Sequence, residues 1–145
     1  MSAKRLRLYH RLQLAAHGAQ KAADAEVMAA SGVTTAQAAV LAVVKRSAPV
    51  TQRGVAAQLG LSEAAVATMT TRLLRQGLLT RKADPEDARA WRLALSADGA
   101  NALARIEPAF RRINRALDDA LGDEREAFAA ALERVAASFA APLND

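Results

Sequence analysis

Between Thr51 and Ser96 the residue order admits very few folds. Thr51 is placed to cap a short helix through Gln58, and Leu59-Gly60-Leu61 makes a tight turn. Ser62 caps a longer helix to about Gln76, and Gly77 is its C-terminal stop. Two extended runs, Leu78 to Lys82 and Ala90 to Ser96, then flank ADPEDAR, a polar tip with Pro85 and two Asp residues, and so read as a hairpin. Short helix, glycine turn, longer helix and hairpin, in that order, make a helix-turn-helix with a wing.

The flanks are helical. Residues 4 to 30 carry Leu8, Leu12, Ala15, Ala19 and Ala22 at helical spacing, and Ser31-Gly32 ends the segment. Thr34 or Thr35 caps a second helix, whose Ala36, Ala39, Val40, Val43 and Val44 form one apolar stripe before Pro49. After the hairpin, Ser96 to Leu121 and Asp123 to Phe139 read as two more amphipathic helices, broken at Gly122. With 38 Ala in 145 residues and only 3% aromatics, backbone propensity favours helix throughout. The expected fold is mainly α with a small β wing, in a single domain spanning 1–145. Within it, 33–96 is the winged module, and 1–32 and 97–145 are flanking long helices.

No stretch has the length of a membrane span, and MSAKRLRLYHRLQL lacks the apolar run of a signal peptide, so a soluble, cytoplasmic protein without membrane partners is expected. The absence of Cys excludes disulfides, thiolate zinc sites and cysteine redox switching.

Charge is unevenly distributed. Residues 1–33 carry five basic and two acidic side chains, residues 34–96 nine and four, and residues 97–145 six and nine. The positive excess lies in the front two-thirds, which points to a polyanionic partner. Along the longer helix Ala65, Val66, Met69 and Leu73 form an inward face, while Ser62, Ala64, Ala67, Thr68, Thr71, Arg72 and Arg75 point elsewhere. Small residues let a helix sit deep in the major groove, hydroxyls bond base edges or phosphates, and Arg neutralises phosphate or forks onto guanine. An ordinary solvated helix is the bland alternative for the same residues. In the hairpin, Asp84, Glu86 and Asp87 lie between Arg81-Lys82 and Arg89, a pattern suited to a tip whose Arg is held by carboxylates. Arg89 is the candidate minor-groove probe, and a self-compensating surface turn is the competing reading. The set expected to face DNA is Thr51, Gln52, Arg53, Ser62, Ala64, Ala67, Thr68, Thr71, Arg72, Arg75 and Arg89.

GVTTAQAAVLAVV at 32–44, TQRGVAAQLGLSEAAVATMTTRLLRQGLLTR at 51–81 and ADPEDARAWRLALSADG at 83–99 carry a resemblance that covers essentially the whole chain. The sequence resembles the MarR family (multiple antibiotic resistance regulators), whose wing Asp-x-Arg is matched by Asp87 and Arg89. The resemblance implies a homodimer on a pseudo-palindromic double-stranded DNA operator, usually a repressor, often released by a small-molecule effector. Many relatives place Arg where this chain has Thr68, so Thr68 with Arg72 is expected to take over base reading, and the operator is not inherited by analogy. An effector would sit near the first, second and fifth helices, but no convergent polar set marks its site.

Dimerization is also expected from the residues alone. Leu103, Ile106, Phe110, Ile113 and Leu117 recur along the fifth helix, and Phe128, Leu132, Val135 and Phe139 along the sixth. With Leu8 and Leu12 of the first helix, these exceed what a small central module covers. Packing inside one monomer is the alternative. No HExxH, Gly-rich phosphate loop or GxSxG is present, so the chain is expected to be no enzyme and to need no cofactor. His10 and His17, seven apart on one helix, read as surface or structural residues, and no metal site is expected. The non-enzymatic alternative to a DNA-binding regulator is a winged-helix adaptor that docks protein through its acidic C-terminal helices.

Overall fold

Capping chemistry sets most of the boundaries. The computed structural model describes residues 3–143, with side chains from residue 7 onward. Its helices are α1 (Ala3–Ser31), α2 (Thr35–Ser47), α3 (Gln52–Leu59), α4 (Glu63–Arg75), α5 (Ala97–Leu121) and α6 (Arg125–Ser138). Its strands are β1 (Val50–Thr51), β2 (Leu79–Ala83) and β3 (Trp91–Leu95). The mainly α fold with a small β wing is therefore observed. Thr34, not Thr35, caps α2: its hydroxyl accepts from the Gln37 N–H while the Gln37 side chain accepts from the Thr34 N–H, a reciprocal capping box. Thr51 and Ser62 cap α3 and α4 by accepting from Gly54 and Ala65. At the end of α4, Leu78 N–H donates to the Leu73 carbonyl and Gly77 N–H to that of Leu74, a Schellman closure that places Gly77 at φ 72°.

The hairpin pairs Leu79 with Leu95 through Ala83 with Trp91. A third strand was not legible in the sequence. Val50–Thr51, directly after Pro49, pairs antiparallel with β3 (Val50 with Leu93, Thr51 with Arg92), so the sheet order is β1-β3-β2. Two residues carry no alternation by which to recognise a strand; only the partner strand makes them one.

The chain forms two compact units, Met1–Phe110 and Arg111–Asp145. In the first, α2 is the hub, touching α1, α3, α4 and β3. Val40, Leu41 and Val44 of α2 are fully buried with Val27 of α1, Val55 of α3, Val66 and Leu73 of α4 and Leu93 of β3. The buried face of α2 is rotated from the expected stripe: Leu41 and Ala38 are inside, whereas Ala36 is exposed. On α5 the buried ridge is Gly99, Ala102, Ile106 and Ala109, while Leu103 and Phe110 of the expected stripe pack only partly. Among described residues α1 seats only Ala23 and Val27, and its expected stripe from Leu8 to Ala22 stays exposed.

In the second unit α5 runs to Leu121, a single 3-10 turn (Gly122–Glu124, Gly122 at φ 54°) interrupts the helix, and α6 follows without a buried residue. An exposed Arg125–Asp118 pair at 3.5 Å spans the turn. Among the described residues no single helix is long and apolar enough to cross a membrane.

The start of α5 is locked to the end of α4. Ser96 Oγ donates to the Gly77 carbonyl and accepts from Gly99 N–H, and Ser96 N–H donates to the Leu78 carbonyl. A Cβ on Gly99 would fall 2.0 Å from that Leu78 carbonyl oxygen, so only glycine fits. Gly99→Ala is expected to destabilise the protein by about 1–3 kcal/mol, the range for overpacking a rigid contact. Urea unfolding checks it, with Ala100→Gly on the exposed side of the same helix as the control.

Candidate nucleic-acid interface

The surface formed by α3, α4 and the β2–β3 wing brings together most of the residues expected to face DNA. On α4 Ala64, Thr68, Thr71, Arg72 and Arg75 are exposed, whereas Ala67 is half-buried. The Thr68 and Thr71 hydroxyls donate back to the Ala64 and Ala67 carbonyls, at 3.1 and 2.8 Å, which leaves their oxygens facing outward as acceptors. Arg72 and Arg75 lie in the last turn, where they complement the helix dipole as well as adding positive charge to this face. The inward face differs from expectation: Ala65 is exposed, Met69 is only partly buried, and the buried line is Val66, Thr70 and Leu73 at i, i+4 and i+7.

Thr70 was missed because a lone Thr within a helical run gives no sign of burial. It is fully buried, and its Oγ1 accepts a 2.7 Å hydrogen bond from Gln52 Nε2. Gln52, expected to face DNA, thus spends an amide N–H on tying the start of α3 to the middle of α4. The Thr70 hydroxyl also donates to the Ala67 carbonyl at 3.0 Å, so both its donor and its acceptor sides are used, and the Gln52 bond is the one that links the two helices. Thr51 and Ser62 are likewise engaged as caps through their hydroxyls. Arg53 is exposed but pairs with Glu63 at 3.0 Å, so part of its charge is neutralised.

In the wing the carboxylates divide their work differently from expectation. Asp84, its side chain only 11% exposed, pairs with Arg92 at 3.2 Å and accepts from the Glu86 N–H. Asp87 accepts from the Arg89 backbone N–H at 2.9 Å. The tip is therefore held through its backbone, and the Arg89 side chain stays exposed. Trp91 is 42% exposed and carries the Arg81 guanidinium over its ring at 4.3 Å. A depression of about 410 Å³ separates wing tip from α3, bounded by Thr51, Gln52, Arg53, Glu63, Asp84, Asp87, Arg89, Ala90 and Trp91.

A second concavity, about 550 Å³, lies between α2 and α5. It is lined by Thr35, Ala38, Ala39, Ala42, Lys45, Leu103, Ile106, Glu107 and Phe110. Its walls are apolar, with Lys45 and Glu107 as the charged members. Thr35 also links this rim to α1. The Thr35 hydroxyl and backbone N–H both hold the Asp24 carboxyl below its ordinary value. Of the two only the N–H closes a hydrogen bond of good geometry, at 3.1 Å; the buried hydroxyl oxygen has no such partner among the described residues. The N–H is one of the free donors at the start of α2, where a carboxylate is also favoured by the helix dipole.

Helix-turn-helix and wing together define the winged-helix class of transcriptional regulators. Residues 31–90, the central module, match the family model of the MarR family, the family whose motifs the sequence resembles. The transcriptional repressor CouR, in a structure bound to a 23-mer DNA duplex, is 27% identical with a TM-score of 0.81, over 89% of this chain and 92% of that one. The PcaV transcriptional regulator from Streptomyces coelicolor, in complex with its natural ligand, is 28% identical with a TM-score of 0.74, over 92% of each chain. S. aureus MepR, in a DNA complex, shares the fold at a TM-score of 0.83 with 21% identity, over 91% of this chain and 98% of that one. Comparison with curated proteins gives no match.

The Asp24 contact makes stability depend on pH in a definite direction. Because folding lowers the Asp24 pKa, its stabilisation is fully present above the ordinary value near 3.8 and is lost as pH falls through the depressed folded value. Asp24→Asn should therefore be less stable than wild type at pH 6, and the difference should vanish on acidification below that folded value. Paired thermal melts across the acid range check it.

Proposed function

We propose that the protein is a sequence-specific double-stranded DNA-binding regulator that acts as a homodimer on a pseudo-palindromic operator. The observation that carries this reading is the outer face of α4. Two small or hydroxyl positions, Ala64 and Thr68, are exposed together with Thr71, Arg72 and Arg75, directly ahead of a wing with Arg89 free at its tip. Small residues permit close approach to base edges, and the arginines supply phosphate and guanine contacts. CouR and MepR, both in DNA complexes, add support from outside the chain. An adaptor that docks protein through acidic helices gives no reason for that cationic, small-residue face.

Repression relieved by a small molecule is the regulatory half of the proposal. It is supported by the apolar concavity between α2 and α5, whose size suits a compact ligand, and by the ligand complex of PcaV. An effector there would touch the hub helix that carries α3 and α4. The cytoplasm is the compartment that such a regulator requires.

The dimer is supported by apolar side chains left in solvent. Leu8 is 69% and Leu12 38% exposed on α1, and Phe128, Leu132 and Val135 of α6 with Phe139 just after it are between 38% and 63% exposed. We assign both stripes to the interface with a second copy. Sedimentation at micromolar concentration should give about twice 15.3 kDa, and truncation after Leu121 should abolish dimerization because it removes α6. A monomeric full-length protein overturns the dimer and its half-site geometry.

Selection of bound sequences from random duplex DNA should enrich an inverted repeat. On the selected operator, replacing Thr68 should change base preference by about 1–3 kcal/mol per lost contact. Arg89→Ala should weaken binding most where flanking A·T-rich sequence narrows the minor groove. No enriched sequence, or an Arg89→Ala protein equal to wild type on both A·T-rich and G·C-rich flanks, contradicts the respective assignment.

A further inference from the structure

Arg81 entered the sequence reading only as part of the charged hairpin and was not among the residues expected to face DNA. The register gives it a different setting. Arg81 pairs across with Leu93 and Ala83 with Trp91, so Arg81 and Trp91 are diagonal neighbours on one face of the wing. The Arg81 guanidinium lies over the Trp91 ring at 4.3 Å, well inside the range of a cation–π contact. Stacking occupies the flat face of the guanidinium and leaves its N–H donors, which lie in the plane, available at the edge. It also restrains a long side chain before any ligand arrives, which lowers the ordering cost of binding.

Arg81 also borders a notch of about 290 Å³ between α4 and β2, whose other walls are Thr71, Leu74 and Arg75. Arg75, Arg81 and Thr71 thus border one small concavity, and none of its lining residues is acidic. Arg53 and Arg92 differ in this respect, since each is paired with a carboxylate. Thr71 and Arg75 are one helical turn apart on the exposed face of α4 proposed to meet DNA, so the notch is continuous with that face.

We propose that this notch is a backbone-phosphate seat at the junction of recognition helix and wing, with Arg81 and Arg75 as its ligands and Trp91 as a positioning residue that holds Arg81 in place. The proposal rests on the DNA-binding reading and adds to it a contact outside the base-reading residues. A phosphate held there bridges α4 and β2, so it sets the wing's position along the strand.

The test uses full-length protein and a mixed-sequence duplex two helical turns long, titrated at several salt concentrations. Removing one phosphate contact flattens the slope of log affinity against log salt by about one unit per protomer. Arg81→Gln is expected to show that loss, and to weaken binding to unrelated duplexes alike. Arg81→Lys, which keeps the charge but not the planar fork, should keep the slope while binding less tightly. Trp91→Leu should weaken binding in the wild-type background and have no further effect in Arg81→Gln, because its role passes through Arg81. A purely structural tryptophan would weaken both backgrounds equally. Since Arg81 is exposed, Arg81→Gln should unfold at the wild-type temperature, which separates the effect from misfolding. If wild type binds duplex and Arg81→Gln keeps its full salt slope, the seat is overturned and the DNA reading stands. If wild type binds no duplex, both fail. Equal losses from Trp91→Leu in the two backgrounds overturn the positioning role alone.

Discussion

Burial of one face of α2 is the constraint on which the first unit depends. Val40, Leu41 and Val44 lie at the meeting point of α1, α3, α4 and β3, and each is fully removed from solvent. At about 1.5–3 kcal/mol per large apolar side chain, this helix anchors α3, α4 and β3 of the proposed interface, and β2 follows through its pairing with β3. The two helices of the helix-turn-helix are too short to be stable alone, so their geometry is borrowed from the surface they rest on. Capping at both ends of α2, α3 and α4 then decides where each begins and stops, and hence which side chains fall on the outer face.

On that outer face the arrangement is one of restraint. The Gln52–Thr70 bond orients α4 from within, and Asp84 and Asp87 hold the wing tip through Arg92 and the Arg89 backbone. These contacts absorb polar groups that a sequence reading assigns to DNA. What they leave outward is sparser and more defined: Ala64 and Thr68 for close approach, and Arg72, Arg75, Arg81 and Arg89 as exposed cations. Exposed ion pairs such as Arg53–Glu63 contribute little to stability, yet they subtract from the charge seen by a polyanion. The effective field of the module is accordingly set by pairing as well as by composition.

Element order, helix type and the capping residues Thr34, Thr51, Ser62, Gly60 and Gly77 were legible in the sequence, because each depends on interactions within a few residues. The positive front and acidic tail were equally legible, since charge adds without regard to fold. Three features belonged to the tertiary structure. Val50–Thr51 is a strand only because β3 lies beside it; Thr70 is buried only because α3 brings Gln52 against α4; Gly99 is required only because Leu78 passes over it. The faces of α2 and α5 also turned by about a residue from their expected stripes, since periodicity gives the spacing of an apolar face and the packing partners choose its angle. The stacked Arg81 is of the same kind: its strand was readable from local pattern, but its place over Trp91 follows from cross-strand register, which no local pattern carries.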